Sequence, residues 1–284
     1  MEDTTIYIPS RGRAADVRTF YAMPVELSEA GKVRVVVPID EVSEYRQHHP
    51  NSLFKVLGIS KKGIGKTRQW ILDHCPTKYA LMFDDDLYFY RRERPRAIKL
   101  VKATAPDMRH MLYMMVRPLS MGIVQTGLSS RVDSSHYLSP YRWCTRINNV
   151  HGFNIKEFAK TGLRFDEYRV MEDFHVTLSL LERGIPNACV YDYCWNQTGS
   201  NMKGGCSIYR NEETQAKAAH MLRDAHPKYV TVVRKKVIGA TSWEGMKERT
   251  DVRINWRKAF PYELPHFNFE LQLNVSKLKG EGII

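Results

Sequence analysis

A chain of 284 residues with 43% hydrophobic and 26% charged side chains is long enough to bury a substantial core as one large α/β domain, alone or with an extension. No apolar run approaches the roughly 18 residues of a membrane span, the opening Met1–Thr5 lacks a signal-peptide pattern, and the five cysteines form no CxxC pair, so the expectation is a cytoplasmic protein, with neither a disulfide framework nor a zinc knuckle suggested. The formal charge of +12 suggests a polyanionic partner such as nucleic acid, with a solvated basic face or local charge for a nucleotide diphosphate as the plainer reading.

In chain order, Thr4–Ile8 is a β-branched run ending at Pro9-Ser10-Arg11-Gly12-Arg13, and Ala14 to Tyr21 has helical character. Val33–Val37 is almost continuously apolar, as suits a parallel strand buried on both faces, and leaves Asp40 just beyond its carboxyl end. Phe54–Leu57 reads as a third strand, followed by a loop through Gly63 and Gly65 and a helix from about Lys66 to His74. Tyr79–Phe83 is a fourth strand running directly into Asp84-Asp85-Asp86. Strands alternating with helices predict a mainly parallel, Rossmann-like sheet flanked by helices, with ligands bound at the carboxyl ends of its strands.

Beyond residue 100, Asp107–Leu119 and Met171–Arg183 read as helices, Ile123–Thr126 and Cys189–Tyr193 as strands, and Val150–Gly162 as strand, turn and helix. The polar, glycine-rich stretch 196–205 reads as a loop, and a helix from about Asn211 to Ala225 closes the expected catalytic domain, residues 1–225. Residues 226–284 form a basic and aromatic extension, with Arg234, Lys235, Lys236, Arg249, Arg253 and Arg257 interleaved with Trp243, Trp256 and Tyr262. No fold is assigned to it from sequence.

Carboxylates placed immediately after a buried strand sit at the rim of the sheet, where Asp84 and Asp86, spaced by one residue, can project to the same side. Two such groups make a hard-oxygen site suited to Mn²⁺ or Mg²⁺. The bland alternative is an aspartate-rich surface turn. Gly63-Ile64-Gly65-Lys66-Thr67 ends like a phosphate loop, but the position five before Gly65 is Ser60 rather than glycine, so the spacing fails.

The succession Ile-Tyr-Ile-Pro-Ser-Arg-Gly-Arg, Val-Pro-Ile-Asp, Gly-Ile-Gly-Lys-Thr-Arg and Met-Phe-Asp-Asp-Asp-Leu resembles that of GT-A nucleotide-sugar transferases, and within them the TET-associated glycosyltransferases, encoded largely by bacteriophages and thought to glycosylate hydroxymethylated pyrimidines in DNA. The resemblance spans about residues 4 to 210. It implies a GT-A-like fold, Asp84 and Asp86 on the metal and the donor diphosphate, and Asp85 as the less involved middle residue. It further implies Pro9, Arg11 and Arg13 lining the nucleotide pocket, Asp40 near the base or ribose, and Gly65, Lys66 and Arg68 facing the donor from a helix start, where free N–H groups suit phosphate.

By the same resemblance, the Glu172-Asp173 pair places a carboxylate beside the acceptor hydroxyl, Asp173 being the expected general base, and His151-Gly152 lines the acceptor pocket. The plainer reading of Glu172 and Asp173 is capping of a helix start. His175 reads as a partly buried helix residue more readily than as a metal ligand. Lys203, Gly204, Gly205 and Arg210 read either as a lid over the diphosphate or as an ordinary surface loop.

The combined expectation is an enzyme moving a sugar from a nucleotide donor, UDP by preference, to a hydroxymethylated pyrimidine in DNA, with inversion. Two alternatives stay open: a transferase acting on polysaccharide or protein, and a non-catalytic nucleic-acid-binding protein on a transferase-like fold.

Overall fold

The computed structural model describes residues 1–51, 53–197, 205, 209–237 and 246–262. Its strands are β1 (Thr4–Pro9), β2 (Val33–Pro38), β3 (Lys55–Ile59), β4 (Tyr79–Phe83), β5 (Tyr88–Arg92), β6 (Leu100–Lys102), β7 (Gln125–Ser130), β8 (Tyr141–Trp143), β9 (Val150–Asn154), β10 (Asn187–Asn196), β11 (Val230–Lys236) and β12 (Glu248–Ile254). The helices are α1 (Arg18–Ala22), α2 (Val25–Glu29), α3 (Val42–His48), α4 (Ile64–His74), α5 (Ala105–Ser120), α6 (Arg131–Ser135), α7 (Ile155–Lys160), α8 (Glu172–Glu182), α9 (Glu212–Ala225) and α10 (Trp256–Ala259).

The main sheet runs in the order β3-β2-β1-β4-β9-β7-β10-β5-β6, with β8 pairing to β10 beside β5. Strands β3, β2, β1 and β4 are mutually parallel. β9 runs against both β4 and β7, so β7 and its parallel partner β10 point the same way as β4. The carboxyl ends of β1, β2, β4 and β10 therefore share one edge, the expected ligand edge of such a sheet.

Alternation along the strands explains their unbroken apolar runs. Ile6 and Ile8, Val33, Val35 and Val37, and Leu81 and Phe83 enter one core layer with Phe20, Tyr45 and the α5 methionines. Tyr7, Val36, Ala80 and Met82 point the other way, into a layer with Ile71, Leu72, Phe158, Val176 and Leu180 from α4, α7 and α8. Both faces are covered, so neither register of alternation leaves a polar side.

The extension is an antiparallel β11–β12 hairpin followed by α10. Val230, Val252, Ala259 and Phe260 share a core with Leu178 and Leu181 of α8 and Ala218, Ala219 and Leu222 of α9. Glu212 ties α9 to the hairpin by accepting from the Thr250 hydroxyl at 2.6 Å and from Arg234 at 2.5 Å. This packing brings the hairpin to the rim of the ligand edge.

The expected helix over Ala14–Tyr21 is shorter than read, spanning Arg18–Ala22. Residues 14–17 run instead as a loop whose Ala14 carbonyl accepts from His49. The predicted strand at Ile123 starts two residues later, at Gln125.

Candidate active site

A cleft of about 570 Å³ opens at the carboxyl edge of the sheet, bounded by the loops after β1 and β4, the starts of α4 and α8, the end of β10 and the hairpin. Its floor is the Asp84-Asp85-Asp86 turn. Buried Thr19 clamps that turn: its hydroxyl donates to the Asp84 carbonyl at 2.7 Å and accepts from the Leu87 N–H at 2.9 Å, while its own N–H donates to the Asp85 carbonyl at 3.1 Å. On the other side the Asp84 N–H donates to the Asn149 carbonyl at 2.9 Å.

The three carboxylates divide between two arginines. Arg13 donates to Asp85 at 2.6 Å and to Asp86 at 2.9 Å. Asp85, 4% exposed, also accepts from Ser10, whose hydroxyl lies 2.7 Å from that of Tyr45. Burial pushes the Asp85 carboxyl up to about 6 against the pull of Arg13 and Ser10. The middle aspartate is thus the one that holds the turn against β1.

Arg68, 4% exposed, reaches from α4 to Asp84 at 3.0 Å with one guanidinium nitrogen and to the equally buried Glu172 at 2.7 Å with another. Burial pushes both carboxyls up to about 7, with the neighbouring aspartates adding to the effect and Arg68 opposing it. Asp173, one residue further along α8, is half-buried and lines the cleft. Its carboxylate accepts the Phe174 N–H at 2.9 Å, as a helix-start carboxylate does. The preceding Met171 holds a left-handed backbone (φ 65°), as does Asn149 (φ 60°), so two strained non-glycine residues flank the cleft.

Of the residues singled out in the sequence, Pro9, Arg11, Arg13, Arg68, Asp84, Asp86, Glu172, Asp173 and Arg210 line this one cleft. Gly205 joins them, its N–H donating to the Arg11 carbonyl at 2.8 Å. Lys203, Gly204, Cys206 and Trp243 lie outside the described residues.

Five others are elsewhere. The Asp40 side chain is 57% exposed and paired with Lys62 at 2.7 Å, because the short helical turn after β2 carries it past the rim. Lys66 is exposed on the outer face of α4. Gly65 faces inward but away from the cleft, against the Phe165 and Tyr168 carbonyl oxygens; residues 63, 64, 67 and 68 are the ones that reach the cleft from this turn.

His151 and Gly152 lie inside the sheet on β9, between β4 and β7, and cannot line an acceptor pocket. His151 is fully buried beside Phe153 and Phe165, and burial holds its imidazole well below the ordinary range, hence neutral. Gly152 is where a side chain would strike Thr126 and Leu81. His175 is a packing residue as read: it stacks on Tyr168 and lies 3.0 Å from the His226 ring.

Sequence reasoning missed Thr19, Arg146, Phe174, Trp195, Gln197 and Tyr209. Of these, only Gln197 fell within a stretch singled out in the sequence, the polar loop over 196–205. Tyr209 accepts the Ile64 N–H at 3.2 Å at the first turn of α4, a contact across 145 positions that no local pattern announces.

Asp84 and Asp86 present a hard-oxygen donor set, the chemistry that Mg²⁺ and Mn²⁺ take. Among the described residues no group of three His, Cys, Asp or Glu side chains forms a self-sufficient cage.

A mixed, mainly parallel sheet flanked by helices, with a carboxylate-lined cleft at its carboxyl edge and a hairpin extension, is a GT-A-like architecture. The profile of the TET-associated glycosyltransferases matches residues 4–205, and the chain belongs to that family. A comparison with curated proteins gives no match.

Among solved structures, residues 1–349 of S. aureus TarS in complex with UDP-GlcNAc are 12% identical, with a TM-score of 0.49 over 78% of this chain and 66% of that one. Glucosyl-3-phosphoglycerate synthase from Mycobacterium tuberculosis, in complex with Mn²⁺, UDP and glucosyl-3-phosphoglycerate, is 9% identical, with a TM-score of 0.48 over 85% and 90%. The mannosyltransferase PcManGT from Pyrobaculum calidifontis, in complex with GDP-Man and Mn²⁺, is 13% identical, with a TM-score of 0.47 over 78% and 63%. The chain thus spans slightly less than two thirds of the TarS fragment. No helix among the described residues is long and apolar enough to cross a membrane.

Proposed function

We propose that the protein is a metal-dependent glycosyltransferase that moves a sugar from a UDP-sugar to the hydroxyl of a hydroxymethylated pyrimidine in DNA. The observation that carries this reading is the convergence of Asp84, Asp86 and Asp173 in one cleft with Arg11, Arg13 and Arg210. Family membership narrows the chemistry, and the charge of +12 favours the polyanionic acceptor over a neutral glycan.

In this reading Pro9, Arg11 and Arg13 receive the nucleotide, and Asp84 and Asp86 are the residues that would hold a divalent cation. When bound, the cation supplies positive charge to the departing diphosphate. Asp173 accepts the acceptor proton as its oxygen bonds to the anomeric carbon. The bond from that carbon to the diphosphate breaks on the opposite side, its electron pair leaving with UDP, so configuration inverts. Arg210, which lines the same cleft, meets the charge that develops on the diphosphate. Arg68 and Glu172 position Asp84 and the start of α8 rather than react, since each is buried in the other's ion pair.

The test is mass analysis of nucleosides from hydroxymethylcytosine-containing and unmodified DNA, each incubated with the protein, Mn²⁺ and a panel of nucleotide sugars. A sugar increment on modified DNA alone is the expected result. UDP-sugar hydrolysis without any increment on either DNA overturns the acceptor assignment, and NMR evidence of retention at the anomeric carbon removes Asp173 as base.

A further inference from the structure

We propose that Phe174 and Trp256 form the subsite for the acceptor base, which enters the cleft as a single pyrimidine extruded from the DNA stack. The proposal rests on the DNA-acceptor reading above and adds where the base sits and how it arrives.

Phe174 directly follows Asp173 on α8, and Trp256 opens α10 at the end of the hairpin. Their rings meet edge to face, 5.6 Å between centroids at 77°, and both line the cleft that holds Asp84, Asp86 and Asp173. Each ring is only partly buried, fixed from behind by the core of α8, α9 and the hairpin. Exposed Arg146 lies over the Phe174 ring with its guanidinium carbon 5.0 Å from the centroid. The result is a rigid right-angled aromatic corner with a cation beside it. A planar heterocycle stacks on such a corner whatever its sequence context. Asp173 lines the same cleft as Phe174 and Trp256, within which a pyrimidine stacked on the corner presents its hydroxymethyl group to the carboxylate.

Lys235 and Arg249 stand on the same cleft wall, both bonded to the Asp251 carboxylate at 3.2 Å, a cluster with one net positive charge. That charge suits phosphates flanking the base. A cleft of about 570 Å³ falls in the range of small-ligand sites and is too small for a double helix. Enzymes that must reach an atom of a stacked base from such a pocket take the base out of the stack.

The experiment measures single-turnover transfer by the full chain, with Mn²⁺ and its UDP-sugar, to hydroxymethylcytosine opposite guanine, opposite an abasic site, and in single-stranded DNA. The abasic and single-stranded substrates are expected to react about tenfold faster than the matched duplex, since pairing and stacking no longer oppose extrusion. Equal rates on matched and abasic duplexes overturn extrusion while leaving the DNA acceptor intact. Donor hydrolysis without transfer to any DNA overturns the acceptor reading and this proposal with it. In parallel, Trp256→Ala is expected to raise the acceptor KM at least about fivefold with little change in the donor KM, and Trp256→Phe to restore most of the loss. A change confined to the donor KM overturns the subsite.

Discussion

Arg68 is held between buried Glu172 and half-buried Asp84, and its removal leaves the two carboxylates without the cation between them. Breaking a buried pair of this kind typically costs about 3–5 kcal/mol. Arg68→Met is expected to lose about that much at pH 8 and less at pH 5, where carboxyls already pushed up to about 7 take protons in place of the missing charge. Urea unfolding at the two pH values measures the difference. Glu172 and Asp173 are neighbours with opposite expectations. Glu172→Gln weakens the Arg68 anchor and lowers stability, whereas Asp173→Asn leaves stability within about 0.5 kcal/mol and reduces kcat by roughly 10²–10⁴, the usual contribution of a general base. Stopped-turnover kinetics on folded Asp173→Asn with undiminished transfer contradicts its role.

Among the elements, α4 and α8 aim the site, and Gly65 is where they meet through the segment before α8. A β-carbon there falls 2.5 Å from the Phe165 carbonyl oxygen and 2.9 Å from that of Tyr168, both backbone atoms that cannot rotate aside. Gly65→Ala is expected to cost about 1–3 kcal/mol and to weaken UDP binding, because the displaced α4 carries Arg68 and residues 63 and 64. Thermal melting together with UDP titration checks both effects. The glycine in this motif thus serves close packing of two elements.

This distinction marks what sequence could and could not disclose. β1, β2 and β4 were legible because burial on both faces produces unbroken apolar runs, and the aspartates after β4 were legible because strand direction alone puts them at the ligand edge. His151 was misread because a buried neutral imidazole carries the same letter as a functional one. Only the pairing of β9 between β4 and β7 shows it to be enclosed. Asp40 was misread because a short helical turn rotates it past the rim. The hairpin escaped because basic residues fall on both faces of β11 and β12, Arg234 and Lys236 in line with the core-facing Val230 and Val232 and Lys235 and Arg249 on the opposite face, so the alternation is diluted by charge. Phe174, Trp256 and Arg146 come from three distant segments, and only tertiary packing joins them.

For the whole molecule, the clustering of buried acids sets a pH dependence of known sign. Asp84, Asp85 and Glu172 bind protons more tightly folded than unfolded, so their contribution to stability is fully present below about pH 4 and lost as pH rises through about 6 to 7. His175, held down to about 4 by burial, and neutral His151 act oppositely, lowering stability as pH falls below about 6.5. Between pH 6.5 and 8 the acids outweigh the tail of the histidine titration, and the Tm of the protein without ligand is expected to fall across that interval. Addition of Mn²⁺ with UDP is expected to reverse most of the fall at pH 8, since a cation between the aspartates stabilises their charged forms. A Tm that rises from pH 6.5 to 8 contradicts the raised carboxyls.

The central claim is that the turn after β4 holds a divalent cation and with it the donor diphosphate. Calorimetric titration of UDP into the wild-type protein and into Asp84→Asn and Asp86→Asn, each with Mn²⁺ and with a chelator, addresses it directly. The account predicts Mn²⁺-dependent binding in the wild type and its loss in both variants, with all three proteins folded. Wild-type-like, Mn²⁺-dependent titrations in both variants would contradict it.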